Sequence, residues 1–387
     1  MTLHIFTSAA LNYLPKVQQL VESVRRFHPE AQITLALADL LPEGSPTPVG
    51  FDRIISVADL GLDNWKAWAF GHTLVELATA IKPFVLEKLL STGSCKVLYL
   101  DPDTVLFDRL DDVLSVLDSS SVALTPHLVT PETSIQGILD NEMAALKHGI
   151  YNLGFVAVKS SATGLAFAQW WKNRCKEWCV DDIPNGLFTD QRWIDLVPAL
   201  FPEVFVLRSP RFNVAPWNIS HRLIVERAGR LWVNEEPLGF YHFTGFDSGA
   251  HSMMALRYAS QSPSVKTMIE NYQKFLKEAS GNVLCKQAWA FAAFENGEKI
   301  SIPIRRLYKA RKDLQDAFHN PFSEDFRLWW HANGIHETVP TSTHAAKQEI
   351  TSMLVRPRNW KYVVQRAWQI LQSEGWSGFT RRLQKYY

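Results

Sequence analysis

The first forty residues constrain most tightly what this chain can fold into. Leu3 to Thr7 is a short apolar run. Leu14, Val17, Leu20, Val21, Val24 and Phe27 then recur at steps of three and four, which places them on one face of a helix, and His28-Pro29 stops the run. A second strand-like run, Ile33 to Ala38, ends at Asp39. Strand, helix and strand at this spacing make a crossover, and a crossover joins parallel strands. The expectation is an α/β chain on a mostly parallel sheet flanked by helices.

The alternation continues along the chain. Thr73 to Leu90 reads as a helix that Lys82-Pro83 kinks or restarts. Ser121 to Leu124, Leu153 to Val158, Val204 to Leu207 and Gly239 to Phe243 read as strands, and Gly164 to Trp178 as a Trp-rich helix. Beyond about residue 250 the pattern turns helical, with Pro263 to Ala279 ended by Gly281. The 387 residues therefore divide into an α/β part, 1–250, and a mainly helical carboxyl-terminal part, 251–387.

Lys96 opens the segment with the most chemical content. Val97-Leu98-Tyr99-Leu100 suits a buried strand, Asp101-Pro102-Asp103 breaks it, and Val105-Leu106-Phe107 resumes it. Two carboxylates are thereby set at the carboxyl end of a strand, where open α/β sheets bind ligands. Hard oxygen donors suit Mg²⁺ or Mn²⁺, and a divalent ion neutralises the charge that grows on a leaving diphosphate. Aspartates also cap turns. Spacing alone leaves both uses open.

Tyr99-Leu-Asp-Pro-Asp-Thr-Val-Leu-Phe resembles the metal motif of the GT-A glycosyltransferases, above all family 8, the group of glycogenin and the bacterial galactosyltransferases of lipopolysaccharide synthesis. Other segments agree in order over about residues 1–250. Phe6-Thr-Ser-Ala-Ala-Leu-Asn-Tyr13 is similar to that family's nucleotide-binding strand and turn, which implies Thr7 and Tyr13 as donor contacts, Tyr13 by stacking on the base. Lys82 stands where the family carries a basic residue for the donor sugar or phosphate. Tyr151-Asn-Leu-Gly-Phe resembles a strand that touches the donor sugar, with Asn152 in the matching place.

Thr189-Asp-Gln-Arg-Trp matches the segment beside the reacting sugar. The match implies that Asp190 binds donor hydroxyls or steadies the transition state and that Gln191 lies near the anomeric carbon. Tyr241-His-Phe-Thr-Gly resembles a His-x-x-Gly motif, which implies His242 as a metal ligand with Asp101 and Asp103, Asp101 also touching the donor. That motif continues in the family to a Lys-Pro-Trp that binds diphosphate. Phe246-Asp-Ser-Gly-Ala-His-Ser has none of the three, leaving His251 or Arg257 as substitutes. Each candidate also has an ordinary use: Tyr13 in packing, Lys82 as a solvated helix lysine, Asn152 as a hydrogen-bonded strand residue, Asp190 as a helix cap.

The resemblance implies a GT-A, Rossmann-like fold with a helical carboxyl-terminal appendage. It also implies a nucleotide-sugar donor with UDP-sugars favoured, a saccharide or lipid-linked acceptor in surface polysaccharide or glycolipid synthesis, Mn²⁺ or Mg²⁺ as cofactor, and retention of anomeric configuration. Two other classes compete. A sugar nucleotidylyltransferase would open with a Gly-rich loop and a basic residue, which Thr7 to Asn12 lacks. A non-catalytic sugar-binding relative would have lost some of the residues named above, and all are present.

Forty basic and thirty-nine acidic residues leave a formal charge of +1, which provides no global field for nucleic acid or an anionic membrane. Four scattered cysteines read as reduced thiols, and Cys175 and Cys179, one helical turn apart, as helix residues rather than zinc ligands. Met1 to Phe6 lacks the order of a signal peptide and no run of 18 apolar residues occurs, so a cytoplasmic protein is expected. From about residue 355 the tail is basic and aromatic, with Arg356, Arg358, Lys361, Arg366, Arg381, Arg382 and Lys385 against Glu374. Trp360, Val364, Ala367, Trp368 and Leu371 share one helical face, suited either to peripheral contact with the inner face of a membrane or to packing on the catalytic part.

Overall fold

The computed structural model describes residues 2–93 and 95–333. Strand β1 (Leu3–Ala9) pairs in parallel with β2 (Gln32–Leu37) across helix α1 (Leu14–Phe27). Leu14, Val17, Leu20, Val21 and Val24 are the buried face of α1, as their spacing requires. The edge strand β3 (Arg53–Ser56) beside β2 is absent from the sequence reading. Its apolar content is only Ile54-Ile55 between polar residues, too short to register as a pattern.

Helices α2 (Leu74–Ala80) and α3 (Lys82–Ser91) show that the chain restarts at Lys82 rather than kinking. Thr73 and Glu76 form a reciprocal cap on α2, and Pro83 occupies the first turn of α3, where its missing N–H is not needed. Next come β4 (Lys96–Leu100), β5 (Thr104–Leu106), α4 (Asp111–Ser119), β6 (Val122–Pro126), β7 (Tyr151–Lys159), α5 (Ala162–Trp178) and β8 (Val204–Val206).

Seven strands form the main sheet in the order β8-β6-β7-β4-β1-β2-β3. Only β7 runs against its neighbours. Val97 to Leu100 and Phe155 to Val158 are wholly buried, the signature of strands covered on both faces. The fold class is thus α/β, with a mostly parallel sheet flanked by helices, as expected. Apart from this sheet, β9 (Phe240–His242) pairs antiparallel with β5 and sets His242 opposite Thr104.

A small antiparallel sheet of Ile224–Arg227, Arg230–Val233 and Glu236–Pro237 is not among the elements read from the sequence. Ala228 and Gly229 form its first two-residue loop, with φ of +51° and +74°. Such loops are usually written Asn-Gly or Asp-Gly, so Ala-Gly gave little warning.

Helices α6 (Ala250–Ala259), α7 (Pro263–Ala279) and α8 (Ile302–Ala310) follow. α7 buries Val265, Met268 and Tyr272, and the Tyr272 ring stacks on Phe243 with centroids 3.8 Å apart. From α8, Arg305 donates to the carbonyls of Phe70 and His72 at 2.9 and 3.0 Å. The compact unit built this way runs to Arg327. The basic tail from about residue 355, with its membrane or packing role, lies outside the described residues. Among the described residues no helix is long and apolar enough to cross a membrane. The cysteines are free thiols; Cys175 and Cys179 are buried, and Cys179 Sγ lies 3.2 Å from Thr79 Oγ1.

Candidate active site

Asp101 follows directly on β4, and its N–H donates to the Gly154 carbonyl of β7 at 2.9 Å. Asp103 lies in the turn before β5. Pairing of β5 with β9 then returns His242 to these two carboxylates: its Nε2 is 3.0 Å from Asp103 Oδ1 and 3.6 Å from Asp101 Oδ2. Ligand atoms of the three residues lie within 4.8 Å of one another. Gly154 makes this possible. A Cβ there would stand 2.4 Å from His242 Cε1 and 2.6 Å from Asn152 Oδ1, closer than real side chains approach.

Lys82, the first residue of α3, is 3% exposed and shared among three acceptors. Its Nζ is 3.3 Å from Asp101 Oδ1, 3.2 Å from Asp190 Oδ2 and 3.3 Å from the Leu153 carbonyl, with the Tyr99 ring centroid at 4.4 Å. The Tyr99 hydroxyl donates to Asp101 Oδ1 at 2.5 Å. Burial works against the charge on Lys82, but Asp101 and Asp190 outweigh it and raise its pKa. For Asp190 the balance is reversed: burial raises its pKa against the pull of Lys82. One ammonium cannot fully compensate two carboxylates, and the more deeply buried acid bears the deficit. Asp190 follows Thr189, whose φ of +47° is uncommon for a threonine and turns the chain sharply into the site.

Burial also tends to raise the Asp103 pKa, but His242 outweighs it, aided by Lys16, and holds the carboxyl below its usual value. The converse holds at His242, where burial would lower the pKa and Asp103 and Asp101 raise it. His242 Nδ1 and the hydroxyls of Thr7 and Thr104 are buried without hydrogen-bond partners among the described residues.

Asn152 and Gln191 belong to a polar lattice behind this group. The Asn152 amide donates to His127 Nε2 and Gln191 Oε1, both at 3.3 Å, while its oxygen accepts from Gly154 N and Asn213 Nδ2, both at 3.0 Å. Gln191 Oε1 accepts from Leu153 N at 2.9 Å, and Nε2 donates to the His148 carbonyl at 3.0 Å. Burial depresses the His127 pKa to about 4, so the ring is a neutral acceptor for Asn152.

A cavity of about 470 Å³ opens over these residues. Lys82, Asp101, Asn152, Asp190, Gln191 and His242 line it, together with Trp217 and Met254. Thr7, Tyr13 and Asp103 are not in its wall. Thr7 is buried within β1, and Tyr13 lies at the start of α1, its hydroxyl donating to Asp247 at 3.1 Å. A larger cavity, about 800 Å³, is lined by Gln19, Arg26, Phe107 and Asn271 among others and contains none of the sequence candidates.

Sequence reasoning missed Asn213, His127, Trp217 and Lys16. Asn213 has φ +51°, and its amide donates to Thr125 Oγ1 at 2.9 Å as well as to Asn152. Nothing in its local sequence marks this. Lys16 did carry a signal: a basic residue in the first turn of a helix with no acid there runs against the helix dipole. Of the proposed substitutes for a missing basic motif, His251 is buried against Tyr241, with Nε2 3.1 Å from its hydroxyl, and Arg257 pairs with Asp140.

No family model matches the chain. Two proteins of Bacillus subtilis (strain 168), both described as uncharacterized, are similar in sequence. YfnF is 30% identical over 175 residues, which is 44% of this chain and 57% of YfnF. YfnD is 25% identical over 254 residues, 63% of this chain and 78% of YfnD. The chain thus spans little more than half of YfnF. Among solved structures, the galactosyltransferase LgtC in complex with donor and acceptor sugar analogs matches with a TM-score of 0.41 and 16% identity, covering 72% of this chain and 96% of LgtC. A glycosyltransferase involved in glycosylation of the major capsid of PBCV-1 matches with a TM-score of 0.37 and 11% identity, over 66% of this chain and 100% of that one. Likenesses this loose decide neither activity nor substrate.

Proposed function

We propose that this chain is a metal-dependent glycosyltransferase of the GT-A type that moves a sugar from a nucleotide-sugar donor, a UDP-sugar by preference, to a saccharide or lipid-linked acceptor. The observation that carries the reading is the convergence of Asp101, Asp103 and His242, with ligand atoms within 4.8 Å, beside a cavity whose wall includes Asp101, His242, Lys82 and Asp190. Two hard carboxylates and one imidazole suit Mn²⁺ or Mg²⁺, and His242 already turns Nε2 toward both acids. In that place the metal would neutralise the charge of a departing diphosphate.

The chain's own groups supply the rest. Lys82 holds Asp101 and Asp190 in fixed relation and keeps positive charge at the cavity floor. Asp190, poorly compensated, is suited to accept from donor hydroxyls or to face a cationic sugar. Asn152 and Gln191 spend most of their hydrogen bonds inside the protein, so they are better suited to fixing the wall at Leu153 than to gripping a ligand alone. Retention of configuration is the expected outcome, to be checked by NMR of the first-formed product. Synthesis of surface polysaccharide or glycolipid on the cytoplasmic side of a membrane is the setting this reading favours.

The test is a thermal-shift screen of nucleotide sugars with and without Mn²⁺. Stabilisation should require donor and metal together in the wild type and be absent from Asp103→Asn. Equal stabilisation of both proteins, or stabilisation without metal, would remove the reading.

A further inference from the structure

Lys16 occupies an unusual position. It lies in the first turn of α1, where the helix dipole disfavours a cation and no acidic residue compensates. It is also 6% exposed. Such a lysine ordinarily needs a buried partner, because burying an ammonium is costly. The Asp103 carboxylate feels its charge, but among the described residues its one ion pair is with Asp247, Nζ to Oδ2 at 2.6 Å, and that side chain is 59% exposed. An ion pair with so exposed a partner contributes little, about 0–1 kcal/mol.

Tyr13 completes the arrangement. Its ring lies under the Lys16 ammonium, 4.3 Å from the centroid, and its hydroxyl donates to the same Asp247 oxygen at 3.1 Å. Asp247 itself sits in the turn after His242, between Gly245 and Gly249, both at positive φ. The neighbouring Phe246 is packed against Tyr272 and His251, with ring centroids 5.0 and 5.5 Å away. The backbone of the turn is therefore anchored, and what meets Lys16 and Tyr13 is a single carboxylate whose side chain is itself exposed.

We propose that Lys16 and Tyr13 form an anion-binding pair beside Asp103 and His242, that Asp247 fills it in the free protein, and that a phosphate group of the ligand displaces Asp247. The proposal rests on the reading of the site as one for a nucleoside diphosphate. Asp247 then acts as a placeholder: it compensates a buried cation when no ligand is present and competes with the ligand when one arrives. The basic group sought at His251 or Arg257 is supplied from α1 instead.

Calorimetric titration with inorganic pyrophosphate and Mg²⁺ tests this without relying on turnover. Asp247→Asn should tighten binding by roughly fivefold, the worth of an exposed ion pair removed from competition. Lys16→Met should weaken it by about 10- to 100-fold, the cost of a lost hydrogen bond between charged groups, and should cancel the gain from Asp247→Asn in the double variant. Lys16→Arg should retain most of the binding. Unchanged or weaker binding in Asp247→Asn overturns the proposal, and this arm decides even if Lys16→Met does not fold. Undetectable binding by both wild type and Asp247→Asn overturns it as well. Pyrophosphate binding that depends on Lys16, in a protein that no nucleotide sugar stabilises, would sustain the anion site while sinking the transferase reading. Metal-dependent donor binding indifferent to Lys16 and Asp247 would do the reverse.

Discussion

Two clusters of buried charge hang from neighbouring helices, one on Glu76 of α2 and one on Lys82 of α3, and they are finished to different degrees. At Glu76 both oxygens are fully used. Oε1 accepts from Asp181 N at 2.9 Å and from Arg306, and Oε2 from Thr73 N at 2.9 Å and Arg306 Nη1 at 3.1 Å. His72 beside it donates to the Trp68 carbonyl at 2.7 Å and meets Lys309 at 3.1 Å. At Lys82, one ammonium is stretched over two carboxylates and a carbonyl, and Asp190 Oδ2 has no well-aligned donor. A cluster complete in itself braces α8 against α2. One left incomplete at the wall of a cavity is arranged for something else to complete it.

The comparison breaks most readily at Glu76. Glu76→Ala takes the acceptor from the Thr73 and Asp181 amides and from Arg306, whose side chain is 34% exposed, and should cost about 1–3 kcal/mol of stability, read as a clear fall in the urea midpoint. Asp190→Asn, by contrast, removes a charge from the unfinished cluster and should move that midpoint far less. Equal losses in the two variants would show that both clusters are braces.

For ligand binding the order reverses. Asp103→Asn should weaken Mn²⁺-dependent donor binding by roughly 100-fold, while Glu76→Ala, measured well below its melting temperature, should bind normally. His242→Ala should cost about tenfold, within the range for disturbing one metal-site partner. Gly154→Ala should resemble it, since the added methyl takes the space of the imidazole ring. If Gly154→Ala binds metal as the wild type does, the ring is not held where this geometry requires it.

Legibility in the sequence follows the same division. The sheet was readable because strands buried on both faces are continuous apolar runs, as at Val97 to Leu100 and Phe155 to Val158, and because α1 has regular apolar spacing. Asp101 and Asp103 were readable because they interrupt such a run. The brace at Glu76 was not, since its partners Asp181 and Arg306 lie 105 and 230 residues away and no local pattern ties them together. The pairing of Lys16 with Asp247, 231 residues apart, was hidden for the same reason, although Lys16 alone stood out in the first turn of its helix. The Asn152 lattice was half visible: the Asn-Leu-Gly segment could be recognised, but its completion by Asn213 and His127 depends on the fold.

The smallest expected effect concerns acid. Burial would raise the Glu76 pKa, but Arg306 and the Thr73 and Asp181 amides outweigh it and hold it at about 2, below the ordinary 4.5. The folded protein therefore keeps the carboxylate charged after the unfolded chain has taken up its proton. The stabilisation is fully present above pH 4.5 and is lost as pH falls toward 2. His72 adds to this loss. Burial, then Lys309, lowers its pKa from 6.5 to about 3, so below pH 6.5 the unfolded chain gains a proton that the fold refuses. The gap in melting temperature between wild type and Glu76→Gln should accordingly hold steady from pH 7 to 5 and narrow from 4.5 downward. The gap between wild type and His72→Gln should begin narrowing nearer pH 6.5. If the Glu76→Gln gap instead widened in acid, the carboxyl would be held protonated in the fold, and the α2 cluster would be no more complete than the one at Lys82.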